Sequence, residues 1–156
     1  MAGDRTTLAR DFVDLLRAFI DHEVRFLLVG AYALAVHGRP RATGDLDVWI
    51  DATPENARRA MNALRAFGAP LTELRESDLS IPGVVFQISV EPLRIHTLTS
   101  ISGVAFAEAW PARVVAPFEA IEVPAIGREH FLAIKRATAR PQDLVDLRTL
   151  ERSSRE

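Results

Sequence analysis

Two aspartates separated by a single residue, Asp45 and Asp47, stand in the stretch Asp45-Leu-Asp-Val-Trp-Ile50, where polar and apolar residues alternate. A strand period of two puts Asp45, Asp47 and Trp49 on one face and Leu46, Val48 and Ile50 on the other. Carboxylates that point the same way repel, and a dry unpaired one is costly, so such a pair calls for a cation. Oxygen-only ligands suit Mg²⁺, which is held by one or two carboxylates together with substrate phosphates. Two solvated aspartates near a strand edge would read the same in isolation. The surrounding chain has to decide between them.

Upstream, Phe26 to Val29 form an apolar run too short for a helix, ending at Gly30, where a missing Cβ lets the backbone turn tightly or approach a ligand. Tyr32 to Val36 resume as a short helix closed by Gly38, and a loop of Arg39, Pro40, Arg41 and Thr43 leads into the aspartates. Arg41 is placed either to neutralise the carboxylates or to face a phosphate. Before this, Phe12, Leu15, Leu16 and Phe19 recur at helical spacing, so Thr7 to about His22 is an amphipathic helix that covers the sheet. After it, Thr53 and Pro54 open a helix that Gly68 stops. Leu71 to Pro82 read as a loop that carries a short strand or helical turn.

Val84 to Val90 and Leu93 to Leu98 are β-rich and flank Glu91-Pro92, which predicts a hairpin with Arg94, His96 and Leu98 on one face. Val104 to Trp110 read as a short helix, and Arg113 to Val123 as two short strands that extend the sheet. In a helix from Arg128 to Ala137, Lys135 sits close to the stripe of Phe131 and Leu132, where it either snorkels outward or serves an anion. Pro141 opens a last helix with Leu144, Leu147 and Leu150 facing inward and Asp143 and Asp146 on another face, suited to the helix N-terminus or to pairing with Arg140 and Lys135. The expected fold class is α/β (α+β), one domain over residues 1–156, with a mixed sheet and helices packed against it.

The order of apolar strand, Gly30, short helix and Arg41-Ala-Thr43-Gly-Asp45-Leu-Asp47 resembles the minimal nucleotidyltransferases of the polymerase-β-like superfamily. It is most similar to the small bacterial proteins of that group linked to toxin–antitoxin and abortive-infection systems. Three further blocks fall in the order of that family: Arg94-Ile-His96-Thr-Leu-Thr-Ser, Gly103-Val-Ala-Phe106-Ala-Glu-Ala-Trp110, and Lys135 through Asp143 to Asp146.

The resemblance implies a nucleoside triphosphate bound through Mg²⁺ or Mn²⁺ on Asp45 and Asp47. It places Gly30, Ala31, Arg41, Thr43, Lys135 and Asp143 around the nucleotide, and His96 with the two aspartates at the catalytic position. The implied activity is transfer of a nucleoside monophosphate to a hydroxyl on a protein or RNA. The alternative is a catalytically impaired nucleotide- or protein-binding module, such as one half of a toxin–antitoxin pair with its cognate partner. Two positions depart from the pattern. Gly30 is followed by Ala31 where the family has Gly or Ser, which weakens the hold on phosphate. His96 stands where a third carboxylate is expected, and imidazole is a poor Mg²⁺ ligand, although it suits Mn²⁺ or Zn²⁺ and can act as a general base.

Composition narrows the remaining choices. A net charge of -2 gives no global basic field to recommend nucleic acid as a partner. With no cysteine, disulfides and thiolate zinc sites are excluded. No stretch reads as a signal peptide or a membrane span, so the expected location is the cytoplasm.

Overall fold

The computed structural model describes residues 2–38, 44–90 and 93–155. Its elements run α1 (Ala2–Asp21), β1 (Phe26–Val29), α2 (Gly30–Val36), β2 (Asp45–Ile50), α3 (Pro54–Phe67), a 3-10 turn (Glu76–Ser80), β3 (Val85–Val90), β4 (Leu93–Leu98), α4 (Phe106–Ala109), β5 (Val114–Phe118), β6 (Ile121–Ala125), α5 (Arg128–Thr138) and α6 (Pro141–Arg155). The strands form one six-stranded sheet in the order β3-β4-β2-β1-β6-β5. β1 runs antiparallel to β2 and parallel to β6, β2 runs parallel to β4, and β3–β4 and β5–β6 are antiparallel hairpins. This is the mixed sheet that the alternation of the sequence predicts.

Strand period separates two cores. Leu46, Val48 and Ile50 join Phe26 and Leu28 in a cluster with Phe12, Leu15, Leu16 and Phe19 of α1 and Ala57, Ala60 and Leu64 of α3. Leu27, Val29 and Trp49 point the other way and join Phe131 and Leu132 of α5 with Leu147 and Leu150 of α6. Because β1 and β2 are covered on both faces, they read as nearly continuous apolar runs, broken in β2 by the two aspartates. Among the described residues no helix is long and apolar enough to cross a membrane.

Local chemistry sets the boundaries. Thr53 caps α3 by accepting a hydrogen bond from the Asn56 amide at 3.2 Å, Pro54 follows at the first helical position, and Gly68 ends the helix at φ 93°. His22 and His37 meet carbonyl oxygens at helix ends, Nδ1 to Ala18 O and Nε2 to Ile126 O, each at 2.9 Å. Two expectations shift. α1 begins at Ala2 and α2 at Gly30 itself, while Leu71 to Pro82 hold the helical turn the sequence allowed for, as a 3-10 turn.

α6 corrects a third expectation. Leu144 is 44% exposed, whereas Asp143 and Asp146 are buried beside Leu147 and Leu150. Residues 143, 146, 147 and 150 follow i, i+3, i+4, i+7 spacing, so they are one inward stripe. Two of its members are charged because Lys135 of α5 meets them from the facing helix.

Candidate functional site

The site is built outward from Gly30, which joins β1 to α2 at φ +70°. Only glycine holds that conformation without strain, and a Cβ there would collide with Asp47 Oδ2 and lie 3.1 Å from Asp47 Cγ. The turn therefore fits against the second aspartate. Gly30→Ala is expected to cost roughly 1–3 kcal/mol from backbone strain alone and to push the Asp47 carboxylate aside. A lowered melting temperature in a variant that still folds would check the first effect, and a shifted Asp47 carboxyl carbon resonance the second.

Both aspartates are met by side chains of the neighbouring strand. In the parallel register of β2 and β4, Asp45 lies opposite Arg94 and Asp47 opposite His96. Arg94 Nε meets Asp45 Oδ1 at 3.0 Å and His96 Nδ1 meets Asp47 Oδ1 at 2.8 Å. The row through Asp47 continues to β3, where Gln87 lies opposite His96 and its Oε1 is 3.0 Å from Nε2. The Gln87 amide nitrogen donates to Ser89 Oγ at 3.1 Å, which turns the amide oxygen toward the ring. Both His96 nitrogens thus face polar partners, and neither is aimed into the cleft.

The facing wall comes from α5 and α6. Lys135, only 8% exposed, lies with Nζ 3.2 Å from Asp143 Oδ1 and 3.1 Å from Asp146 Oδ2. Asp143 also accepts from Thr138 Oγ1 at 2.6 Å, from the Arg140 amide at 3.0 Å and from Arg140 Nε at 2.9 Å. Burial pushes the Asp143 carboxyl up, but the bonds from Arg140, Thr138 and Lys135 outweigh it and hold the group well below the usual carboxylate range. Arg140 reaches the rim. Its hydrogen bond to Asp143 and the Asp143 charge raise its guanidinium above the ordinary value, and the Asp47 charge across the cleft adds to the shift.

Between these walls lies a cavity of about 780 Å³ lined by Gly30, Asp45, Asp47, His96, Lys135 and Arg140, with Leu98, Ile101, Phe131 and Ile134 on its apolar side and Ser100 and Ser102 at the loop after β4. That loop fits closely against α5 because Gly103, at φ +92°, has no Cβ to meet Ala137 or the Ala133 carbonyl. Six of the sequence-predicted positions are thereby placed: Gly30, Asp45, Asp47, His96 and Lys135 line one cavity, and Asp143 stands behind Lys135. Ala31 is buried on α2 and its side chain does not line the cavity. Arg41 and Thr43 lie outside the described residues.

The donors of Asp45 and Asp47 are hard oxygens on one face, a set that fits a single Mg²⁺ or Mn²⁺ completing its shell with phosphate oxygens and water. Among the described residues no three His, Cys, Asp or Glu side chains gather into a group that could hold a metal alone. Ligands from a bound nucleotide would have to complete such a shell.

Sequence reading missed Gln87 and undervalued Arg140. The first was available: a hairpin centred between Glu91 and Pro92 sets residue 87 opposite 96, the register found. Arg140 carried no comparable signal, since its place at the rim depends on how α6 turns back from α5.

The fold is that of the minimal nucleotidyltransferases. A protein of Thermotoga maritima provisionally assigned as a nucleotidyltransferase superposes with a TM-score of 0.55 at 13% identity, with 94% of each chain covered. The lincosamide antibiotic adenylyltransferase LnuA, in a lincomycin-bound structure, superposes with a TM-score of 0.59 at 14% identity over 91% of this chain and 95% of that one. The sequence matches no protein-family model and no curated protein.

Proposed function

We propose that the chain binds a nucleoside triphosphate with a divalent cation on Asp45 and Asp47 and transfers the nucleoside monophosphate to a hydroxyl acceptor. The observation that carries this reading is the shared cavity: two same-facing carboxylates beside the Gly30 turn on one wall, Lys135 and Arg140 on the other. The cation supplies charge neutralisation on the triphosphate. Gly30 lines the cavity and lets the backbone come close to the phosphates, and the Lys135 ammonium, hydrogen-bonded to Asp143 and ion-paired with Asp146, keeps a donor for the phosphates. Arg140 closes the rim with a second fixed charge. In the transfer, the acceptor oxygen bonds to the α-phosphorus as the bond to the β-phosphate oxygen breaks, pyrophosphate leaves, and the hydroxyl proton passes to water.

The similarity to LnuA, named as an antibiotic adenylyltransferase, supports a nucleotide substrate and a separate acceptor. The acceptor class favoured by the toxin–antitoxin resemblance is a protein or RNA hydroxyl. Incubation with each α-labelled nucleoside triphosphate and cell lysate, under Mg²⁺ and then Mn²⁺, tests the reading. Label joined to a protein or RNA band supports it. Absence of label under both metals, with nucleotide bound, favours the second reading.

That second reading is a nucleotide-binding module impaired in turnover, part of a toxin–antitoxin pair. One observation favours it. His96, whose two nitrogens are engaged by Asp47 and Gln87, occupies the place where the family resemblance expects a third carboxylate. Under this reading His96→Asp adds a hard oxygen ligand and brings like charges together, so Mg²⁺-dependent transfer rises at least tenfold while the nucleotide-free protein melts lower. Label transfer and melting temperature measured on both forms check this. Robust Mg²⁺-dependent transfer by the natural protein, lost in the variant, would make His96 a working catalytic group.

A further inference from the structure

We infer that Gln87 is a positioning residue that aims His96 at Asp47 and so fixes the carboxylate for its ligand. The inference deepens the nucleotide-binding reading and rests on it for one arm of the test only. Gln87, His96 and Asp47 occupy a single row across β3, β4 and β2. Their side chains are joined end to end, Gln87 Oε1 to His96 Nε2 at 3.0 Å and His96 Nδ1 to Asp47 Oδ1 at 2.8 Å. Ser89 fixes the amide by accepting from its nitrogen at 3.1 Å.

The far end of the row meets the Gly30 turn, where a Cβ would collide with Asp47 Oδ2. A carboxylate bound at Oδ1 by His96 and hemmed by that turn at Oδ2 keeps one orientation. Gln87 and Ser89 are exposed, and surface hydrogen bonds of this kind contribute little to stability, so folding does not account for the row. What it does account for is the aim of the ring. Without Gln87 at Nε2, the imidazole is free to rotate about its χ angles, and Asp47 loses the partner that orders it.

Outer-shell partners of metal ligands commonly govern affinity by tenfold or more. The experiment uses the full chain and three forms: wild type, Gln87→Leu, which removes the polar partner at similar volume, and Gln87→Glu, which keeps one. Two readouts are taken, the proton resonance of the His96 Nδ1–H protected from water exchange by its bond to Asp47, without metal or nucleotide, and calorimetric affinity for Mn²⁺ with ATP. Wild type is expected to show the protected resonance, Gln87→Leu to lose it and bind about tenfold more weakly with an unchanged melting temperature, and Gln87→Glu to recover both.

Persistence of the resonance in Gln87→Leu, or failure of Gln87→Glu to restore it, overturns the inference. If the resonance is lost and restored as expected but wild type binds no Mn²⁺ with ATP, the positioning role stands and the nucleotide reading falls.

Discussion

Replacing Asp45 and Asp47 together with Asn is expected to lower nucleoside triphosphate affinity about a hundredfold and to remove its dependence on a divalent cation. Each carboxylate is a charged oxygen ligand, and losing a charged contact of this kind costs on the order of 1.5 kcal/mol, or tenfold, apiece. The partners left behind shape what remains. Arg94 and His96 would then line the mouth of the cavity without the anions they now meet at 3.0 and 2.8 Å, so the residual binding should be metal-independent and should weaken as salt is added. Calorimetry with Mg²⁺ and in excess chelator, at two salt concentrations, measures all three properties. Equal binding by the double variant, or tight wild-type binding in chelator, would remove the aspartates from the site.

Asp143→Ala should be the most destabilising single change, by roughly 3–5 kcal/mol, because it breaks a buried ion pair from one side. Asp143 is fully buried and joins Lys135, Thr138 and both the backbone and side chain of Arg140. Its removal leaves the Lys135 ammonium with Asp146 alone and frees the turn between α5 and α6. The effect should depend on pH in a defined direction. A carboxyl whose folded pKa is depressed contributes stability that is fully present above the unfolded value, about pH 4, and is lost as pH falls from there through the folded value. Denaturant unfolding of both proteins should therefore show their widest gap near neutrality and a narrowing one below about pH 4. A gap that stays constant from pH 7 to pH 3 would mean that packing, and not charge, is what Asp143 contributes.

The platform strand was legible because its pattern obeys one rule. Alternation from Asp45 to Ile50 fixed which side chains share a face, and the burial of Leu46, Val48 and Ile50 in one core and Trp49 in the other follows it. Thr53-Pro54 and Gly68 marked α3 through capping chemistry that acts within a few residues. The stripe of α6 was harder to read, since apolar periodicity alone selected Leu144, which is exposed, over Asp143, which is buried. A buried carboxylate is recognisable only with its partner, and Lys135 lies on another helix. The same limit hid the pairing of Asp45 with Arg94, a contact between residues 49 positions apart. Local rules recover elements, whereas charge pairs between elements require the topology first.

The order in which the chain is synthesised gives the β2–β4 pairing a further meaning. Asp45, Asp47, Arg94, His96 and Gln87 all lie before Leu98, and Lys135 follows Leu98 by 37 positions. At translation rates of roughly 5–20 residues per second, the ribosome takes about two to seven seconds to cover that interval. During it the carboxylates already have Arg94 and His96 within the same stretch of nascent chain, while β6 has yet to take its place beside β1 and the lysine wall has yet to be made. Once Arg94 and His96 have followed the aspartates out of the exit tunnel, that half of the cleft has its partners at hand, and the half that closes the cavity arrives last.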